Sequence, residues 1–186
     1  MHRLFGKILS KARGYMPQRL AKLLMFIGIF DLLLLGPAFL STAKVLNDGD
    51  KAPIFALDSV QGPKVDLAQY IGSAVIVVGL FHICEPCMEQ AMEMETLFQS
   101  MKNKKVFLVG VNASGDSKAA IMDYLNKFPQ RVSFPYLLDP TRTVEGLFNI
   151  RATPMVYIID RQGVIRFKGS SVPAEVLEKE VLKLLS

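Results

Sequence analysis

Apolar residues fall along this chain in two rhythms, and the switches between them predict its elements. Val75, Ile76, Val77, Val78, Gly79, Leu80 and Phe81 are consecutive and largely β-branched, as in a strand buried on both faces. Past Cys87 the apolar positions Met88, Ala91, Met92, Phe98 and Met101 recur at three- and four-residue steps or their multiples, which predicts a helix with one buried face. Met88, Met92, Met94 and Met101 are expected to pack the core. Residues 105–111 read as a second buried strand, so strand, helix and strand form a parallel, right-handed crossover.

The rest of the pattern is read in the same way. Ile54 to Leu57 and Lys64 to Leu67 flank the turn residues Gln61, Gly62 and Pro63, which predicts an opening hairpin. Residues 117–128 have helical periodicity with Ser117 as the cap, and 134–138 form a short strand stopped by Asp139 and Pro140. A helical turn at 144–148, a strand at 155–159, a turn at 160–163, an antiparallel strand at 164–168 and a helix at 173–184 complete the chain. The expected architecture is α/β, a mixed central sheet with helices on both faces.

The N-terminus is different. Residues 23–40 are apolar except for Asp31, close to the length that spans a bilayer, and every basic residue before Lys44 lies upstream of them. An aspartate near the helix centre costs about 2.5 to 3.5 kcal/mol, which several leucines and isoleucines offset. Ser41, Thr42 and Ala43 place small residues where a signal peptidase would cleave after Ala43. The expected layout is a basic cytoplasmic leader (1–22), a signal peptide or transmembrane anchor (23–43), a connector (44–51) and one domain (52–186). That domain is extracytoplasmic, on the periplasmic side, anchored by residues 23–40 or released near Ala43.

Charge follows this layout. Residues 1–43 hold six Lys and Arg against Asp31 alone, which accounts for the whole formal charge of +5, while residues 44–186 balance sixteen cations against sixteen acids. A nucleic-acid binder would carry a basic stripe on its folded part, so nucleic acid is excluded as a partner.

Cys84 and Cys87, separated by Glu85 and Pro86, are the only cysteines, and they sit at the predicted strand-to-helix turn. Unpaired amides and the macrodipole at a helix start favour a thiolate, so Cys84 is the more nucleophilic, with Cys87 behind it. A structural disulfide and a metal pair compete with a redox reading. A staple stabilises mainly by closing a long loop, and this ring is short. Tetrahedral zinc needs four ligands, and only His2 and His82 could join the pair, so no metal and no cofactor is expected.

Cys84, Glu85, Pro86 and Cys87 after a buried strand, followed by Ala152, Thr153 and Pro154 before another, resemble the thioredoxin superfamily. The exported TlpA and ResA branch is the most similar, over about residues 45–186. It shares the N-terminal hydrophobic helix, the N-terminal β-hairpin extension and an inserted helix and strand between the motif and the proline. The resemblance implies a thiol-disulfide oxidoreductase acting on exported protein thiols and disulfides, re-armed by a membrane or periplasmic redox partner. It also implies that Pro154 is cis and faces the dithiol, and that Thr153 offers its backbone to an extended substrate segment.

The chain departs from that pattern at several positions. Ile83 replaces the tryptophan usual before the first cysteine, Val78 stands where an aspartate or polar residue lies in relatives, and Gln90 where the branch commonly has glutamate. Proton acceptors for Cys87 must then come from elsewhere, and Glu89, Glu85 and His82 are the titratable neighbours. A protonated His82 would favour the Cys84 thiolate, and an ionised Glu85 would oppose it. Two other activities compete. A peroxiredoxin-type peroxidase would place Thr or Ser three residues before its reactive cysteine, where Phe81 stands. A Sco-like Cu(I) chaperone would space its cysteines by three residues and add a downstream histidine, and none follows His82.

Overall fold

The computed structural model of the protein describes residues 44–186. The expected leader, the apolar segment with Asp31 and the cleavage site at Ala43 lie outside the described residues. Among the described residues no helix is long and apolar enough to cross a membrane.

A short hairpin opens the fold: β1 (Ala56–Leu57) pairs antiparallel with β2 (Val65–Asp66). It is shorter than its sequence pattern, because Asp66 accepts a hydrogen bond from Ala68 N at 3.0 Å and turns Leu67–Tyr70 into a 3-10 helix. Then follow β3 (Val75–Phe81), α1 (Glu85–Met101), β4 (Val106–Asn112), α2 (Lys118–Leu125), β5 (Tyr136–Leu138), α3 (Thr143–Phe148), β6 (Met155–Ile159), β7 (Ile165–Gly169) and α4 (Ala174–Leu185). The main sheet has the order β5-β4-β3-β6-β7, with β4 parallel to β3 and β5, and β6 antiparallel to β3 and β7. It is therefore the mixed sheet expected.

Strand β3 sits at its centre with all seven residues buried. Val75, Val77 and Phe81 pack with Ala91, Met94 and Leu97 of α1, Ile121 of α2 and Leu177 of α4, while Ile76, Val78 and Leu80 pack with Leu67, Val144 and Phe148 on the other side. The two parallel crossovers run in the same direction, so right-handedness puts α1 and α2 on one face. The return from β5 to β6 carries α3 across the other. Met94 and Met101 are fully buried, and Met88 and Met92 pack at the margin of the same cluster.

Local chemistry explains the boundaries that differ from the apolar pattern. Helix α2 is capped by Ser117, whose Oγ accepts from Ala120 N at 3.2 Å, but it stops at Leu125 instead of Phe128. There Lys127 N and Phe128 N bond three residues back, tightening the last turn. Strand β5 begins at Tyr136, after Pro135, which has no amide to donate. Helix α4 takes Pro173 as its cap residue and begins at Ala174. Residues 44–51, expected as a connector, bond to the β7 edge: Gly49 N to Ile165 O at 2.8 Å, Ile165 N to Asp50 O at 2.9 Å, and Lys168 Nζ to Leu46 O at 3.0 Å.

Candidate active site

The sheet register brings the sequence motifs together. At the C-terminal end of β3, Leu80 pairs with Met155 on one side and Phe81 with Asn112 on the other. The loop from His82 to Cys84 therefore emerges between the start of β6, where Thr153 and Pro154 lie, and Ala113, whose amide bonds to Phe81 O at 2.9 Å. The Thr153–Pro154 peptide bond is cis. Pro154 is buried, Thr153 half-buried, and Ala152 and Arg151 exposed.

Cys84 and Cys87 form a disulfide with their Cα atoms 5.2 Å apart. Cys84 is the N-cap of α1 in extended conformation, without a side-chain capping bond, and Pro86 stands in the first turn, where its missing amide has no intrahelical partner to lose. Cys84 is half-buried and Cys87 is 1% exposed, the order of access expected for an attacking and a resolving thiol. Cys87 Sγ accepts a hydrogen bond from His82 N at 3.5 Å. Glu85, Pro86 and Glu89 are exposed.

His82 is half-buried, and its Nε2 is buried without a hydrogen-bond partner among the described residues. It lies within electrostatic reach of Glu145 in the first turn of α3. The Arg142 guanidinium bonded to Glu145 holds that carboxyl below the usual carboxylate range, against the effect of burial, and His82 adds to the lowering. Asp139 fixes α3 in this place: it is buried and its carboxylate accepts from Thr143 N at 2.8 Å, Val144 N at 2.7 Å and Glu145 N at 3.3 Å.

Two contacts at the dithiol were not readable from its motif. Tyr124 of α2 donates its hydroxyl to Cys84 O at 2.5 Å, tying the inserted helix to the cysteine turn. Burial pushes the Tyr124 phenol up to about 12, and burial raises Tyr136 well above its ordinary value, with the charges of Tyr124 and Asp116 adding to it. The only signal for Tyr124 is general: a tyrosine on the inner side of a helix needs a partner for its hydroxyl. Gln90, in the position usual for glutamate, is buried and bonds both backbone groups of Val172. Val78 packs on the opposite face of β3 from Cys87. Among the described residues no group of three His, Cys, Asp or Glu side chains is placed to hold a metal ion.

Comparison with known proteins bears on this arrangement. The AhpC/TSA family model matches residues 49–168. The chain is 28% identical over 120 residues to the thiol-disulfide oxidoreductase ResA of Bacillus subtilis, a match covering 64% of this chain and 65% of the relative, just under two thirds of its length. A candidate thiol:disulfide interchange protein DsbE from Chlorobium tepidum superposes with a TM-score of 0.67 at 26% identity, covering 76% of this chain and 99% of that one. The mitochondrial 2-Cys peroxiredoxin of Plasmodium falciparum shares the fold, with a TM-score of 0.62 at 18% identity over 74% of this chain and 93% of its own.

Proposed function

The chain belongs to the AhpC/TSA family, as a TlpA/ResA-like member of the thioredoxin superfamily, and from that premise we propose that it is a thiol-disulfide oxidoreductase working through Cys84 and Cys87 on exported proteins. The observation that carries this reading is the pairing of a half-exposed Cys84 at a helix start with a buried Cys87, beside the strand opening at Thr153 and Pro154.

In the reducing direction the Cys84 thiolate attacks a substrate disulfide. One substrate sulfur leaves as a thiolate and a mixed disulfide forms. Cys87 then loses its proton and attacks Cys84 Sγ, which releases the second substrate thiolate and leaves the disulfide described above. Two electrons from a partner dithiol restore the pair, and the reverse sequence oxidises substrates. Thr153 offers backbone groups to an extended substrate segment, and His82, Glu85, Pro86 and Glu89 modulate the thiolates. The basic leader and the apolar segment of residues 23–43 support an extracytoplasmic site for this exchange, with the catalytic domain spanning residues 52–186.

Replacing Cys87 by serine in the full chain tests the reading. Cys87→Ser is expected to accumulate a mixed disulfide with a disulfide-bonded peptide, visible as a mass adduct on Cys84, and Cys84→Ser to accumulate none. Equal labelling of both variants, or of neither, would sink it. Family membership and the shared peroxiredoxin fold favour peroxide reduction as a second reading. Phe81, fully buried at the end of an unbroken strand, supplies no hydroxyl for a peroxide. Peroxide turnover by the full chain at rates above its disulfide exchange would reverse this order.

A further inference from the structure

The helix that carries the dithiol and the strand opening at Pro154 share no side-chain hydrogen bond among the described residues. They are joined through the segment between β7 and α4. On one side Gln90 of α1, 1% exposed, accepts from Val172 N at 2.5 Å and donates to Val172 O at 2.9 Å. One turn along the same helix, Glu93 Oε2 accepts from Ala174 N at 2.7 Å. On the other side Ser170 Oγ donates to Pro154 O at 2.7 Å. Between them Ser171 holds a left-handed φ of 51°. The segment has no slack, since a Cβ at Gly169 would lie 2.5 Å from Val172 Cγ2.

We infer that Gln90 is a positioning residue for disulfide exchange: through residues 170–172 it sets where the Thr153–Pro154 backbone stands relative to Cys84 and Cys87. The inference rests on the oxidoreductase reading above and adds to it a second link between the two halves of the site, beside the pairing of Leu80 with Met155. The geometry selects an amide. Val172 presents one donor and one acceptor to the same buried side chain, and a neutral amide matches both, whereas a carboxylate only accepts and would face the Val172 carbonyl.

A protonated glutamate reproduces the amide, one oxygen accepting and the hydroxyl donating. Burial, the Val172 carbonyl and the acids Glu89 and Glu93 on α1 and Glu175 in the first turn of α4 all favour that neutral form. The link made by such a glutamate is therefore present while it stays protonated, below a folded-state value raised above the ordinary carboxylate range, and is lost as pH rises through that raised value.

The test compares full-length protein with Gln90→Met, Gln90→Glu and Ser170→Ala, using a fluorogenic peptide with one disulfide and dithiothreitol as reductant. Gln90→Met removes both bonds to Val172 while leaving the cysteines on their helix. Its KM is expected to rise about tenfold with kcat within about twofold. Gln90→Glu is expected to match the unaltered protein at pH 5, and its KM relative to that protein at the same pH should climb towards the Gln90→Met value by pH 8. Ser170→Ala, at an exposed position, should raise KM about threefold, and it keeps the question answerable if Gln90→Met does not fold. KM unchanged in Gln90→Met and Ser170→Ala, with only thermal stability lowered, would show Gln90 to be a packing residue and overturn the inference alone. Absence of turnover in the unaltered protein would overturn the oxidoreductase reading first and this inference with it.

Discussion

Gly79 lies on the face of β3 that meets α1, and replacing it by alanine probes how tightly the dithiol helix is pressed against the sheet. A Cβ there would stand 2.4 Å from Phe81 Cζ, 2.5 Å from Met94 Sδ and 2.7 Å from Phe81 Cε2. Ordinary contact begins at 3.4 Å, so the ring must retreat by 1.0 Å and the sulfur by 0.9 Å. Neither has free space. Both side chains are fully buried, and the ring stacks on Tyr136 at a centroid distance of 5.8 Å. Overpacking of this kind costs about 1 to 3 kcal/mol, and two neighbours moving together argue for the upper part of that range. The stiffer unfolded chain returns about 0.4 to 1 kcal/mol. The net is a loss of about 2 kcal/mol.

Over residues 44–186, at about 2.1 cal/mol/K each, the entropy of unfolding is about 300 cal/mol/K, so Tm should fall by about 7 °C. Circular dichroism during thermal and urea unfolding measures it, and a double-mutant cycle assigns the cause. Met94→Ala alone leaves a cavity and destabilises by about 2 to 5 kcal/mol. In that background Gly79→Ala should cost at least about 1 kcal/mol less, because the sulfur is gone. A Gly79→Ala protein within about 0.5 kcal/mol of the parent, or a cycle that is strictly additive, would refute the claim that α1 is seated on Gly79.

Two further outcomes follow from the same geometry. Asp139→Ala removes the buried acceptor of three α3 amides and should destabilise by about 2 to 3 kcal/mol, with Asp139→Asn losing roughly half as much, both read from urea midpoints. Equal stability of Asp139→Ala and the parent would remove Asp139 as the anchor of α3. The raised phenol of Tyr124 implies alkaline sensitivity: its contribution is fully present below the unfolded value of about 10 and is lost as pH rises through about 12. Urea midpoints should therefore fall above pH 10, less steeply in Tyr124→Phe, and identical slopes for the two proteins would contradict the assignment.

The fold was legible because its central pattern is unambiguous. Seven consecutive buried residues in β3 and a clean change of period at Cys87 determine a strand, a turn and a helix, and the parallel crossover follows from them. Legibility stopped where backbone groups decide. The hairpin at β1 and β2 has apolar flanks long enough for more rungs, yet the Asp66 side chain captures Ala68 N and curls the chain into a 3-10 turn. Residues 44–51 look like a polar connector because their attachment to β7 uses main-chain groups, which leave no trace in side-chain polarity. In the candidate site, the Cys84–Cys87 disulfide and the cis bond before Pro154 involve residue types that stand out in the sequence, because few others can fill such places. Tyr124 and Gln90 do not stand out, since each acts on the main chain of a residue far away in sequence, Cys84 O in one case and Val172 in the other.

The same distinction bears on how Cys87 is handled. Cys87 is 1% exposed, Val78 packs on the far face of β3, and Gln90 spends both ends of its amide on Val172. Glu95, the buried acid of α1, is engaged by Ser133 N at 2.6 Å and Ser133 Oγ at 2.8 Å. Among the described residues no carboxylate bonds to Cys87, and its one hydrogen-bond donor is the His82 amide. A donor of that kind favours the thiolate over the thiol but carries no proton away. In the proposed exchange the resolving step then depends on proton transfer to the departing substrate sulfur or to solvent on the Cys84 side. On that proposal the acid–base chemistry would fall to the half-buried Cys84, next in sequence to Glu85 and two residues from His82, while the buried side of the site would supply geometry.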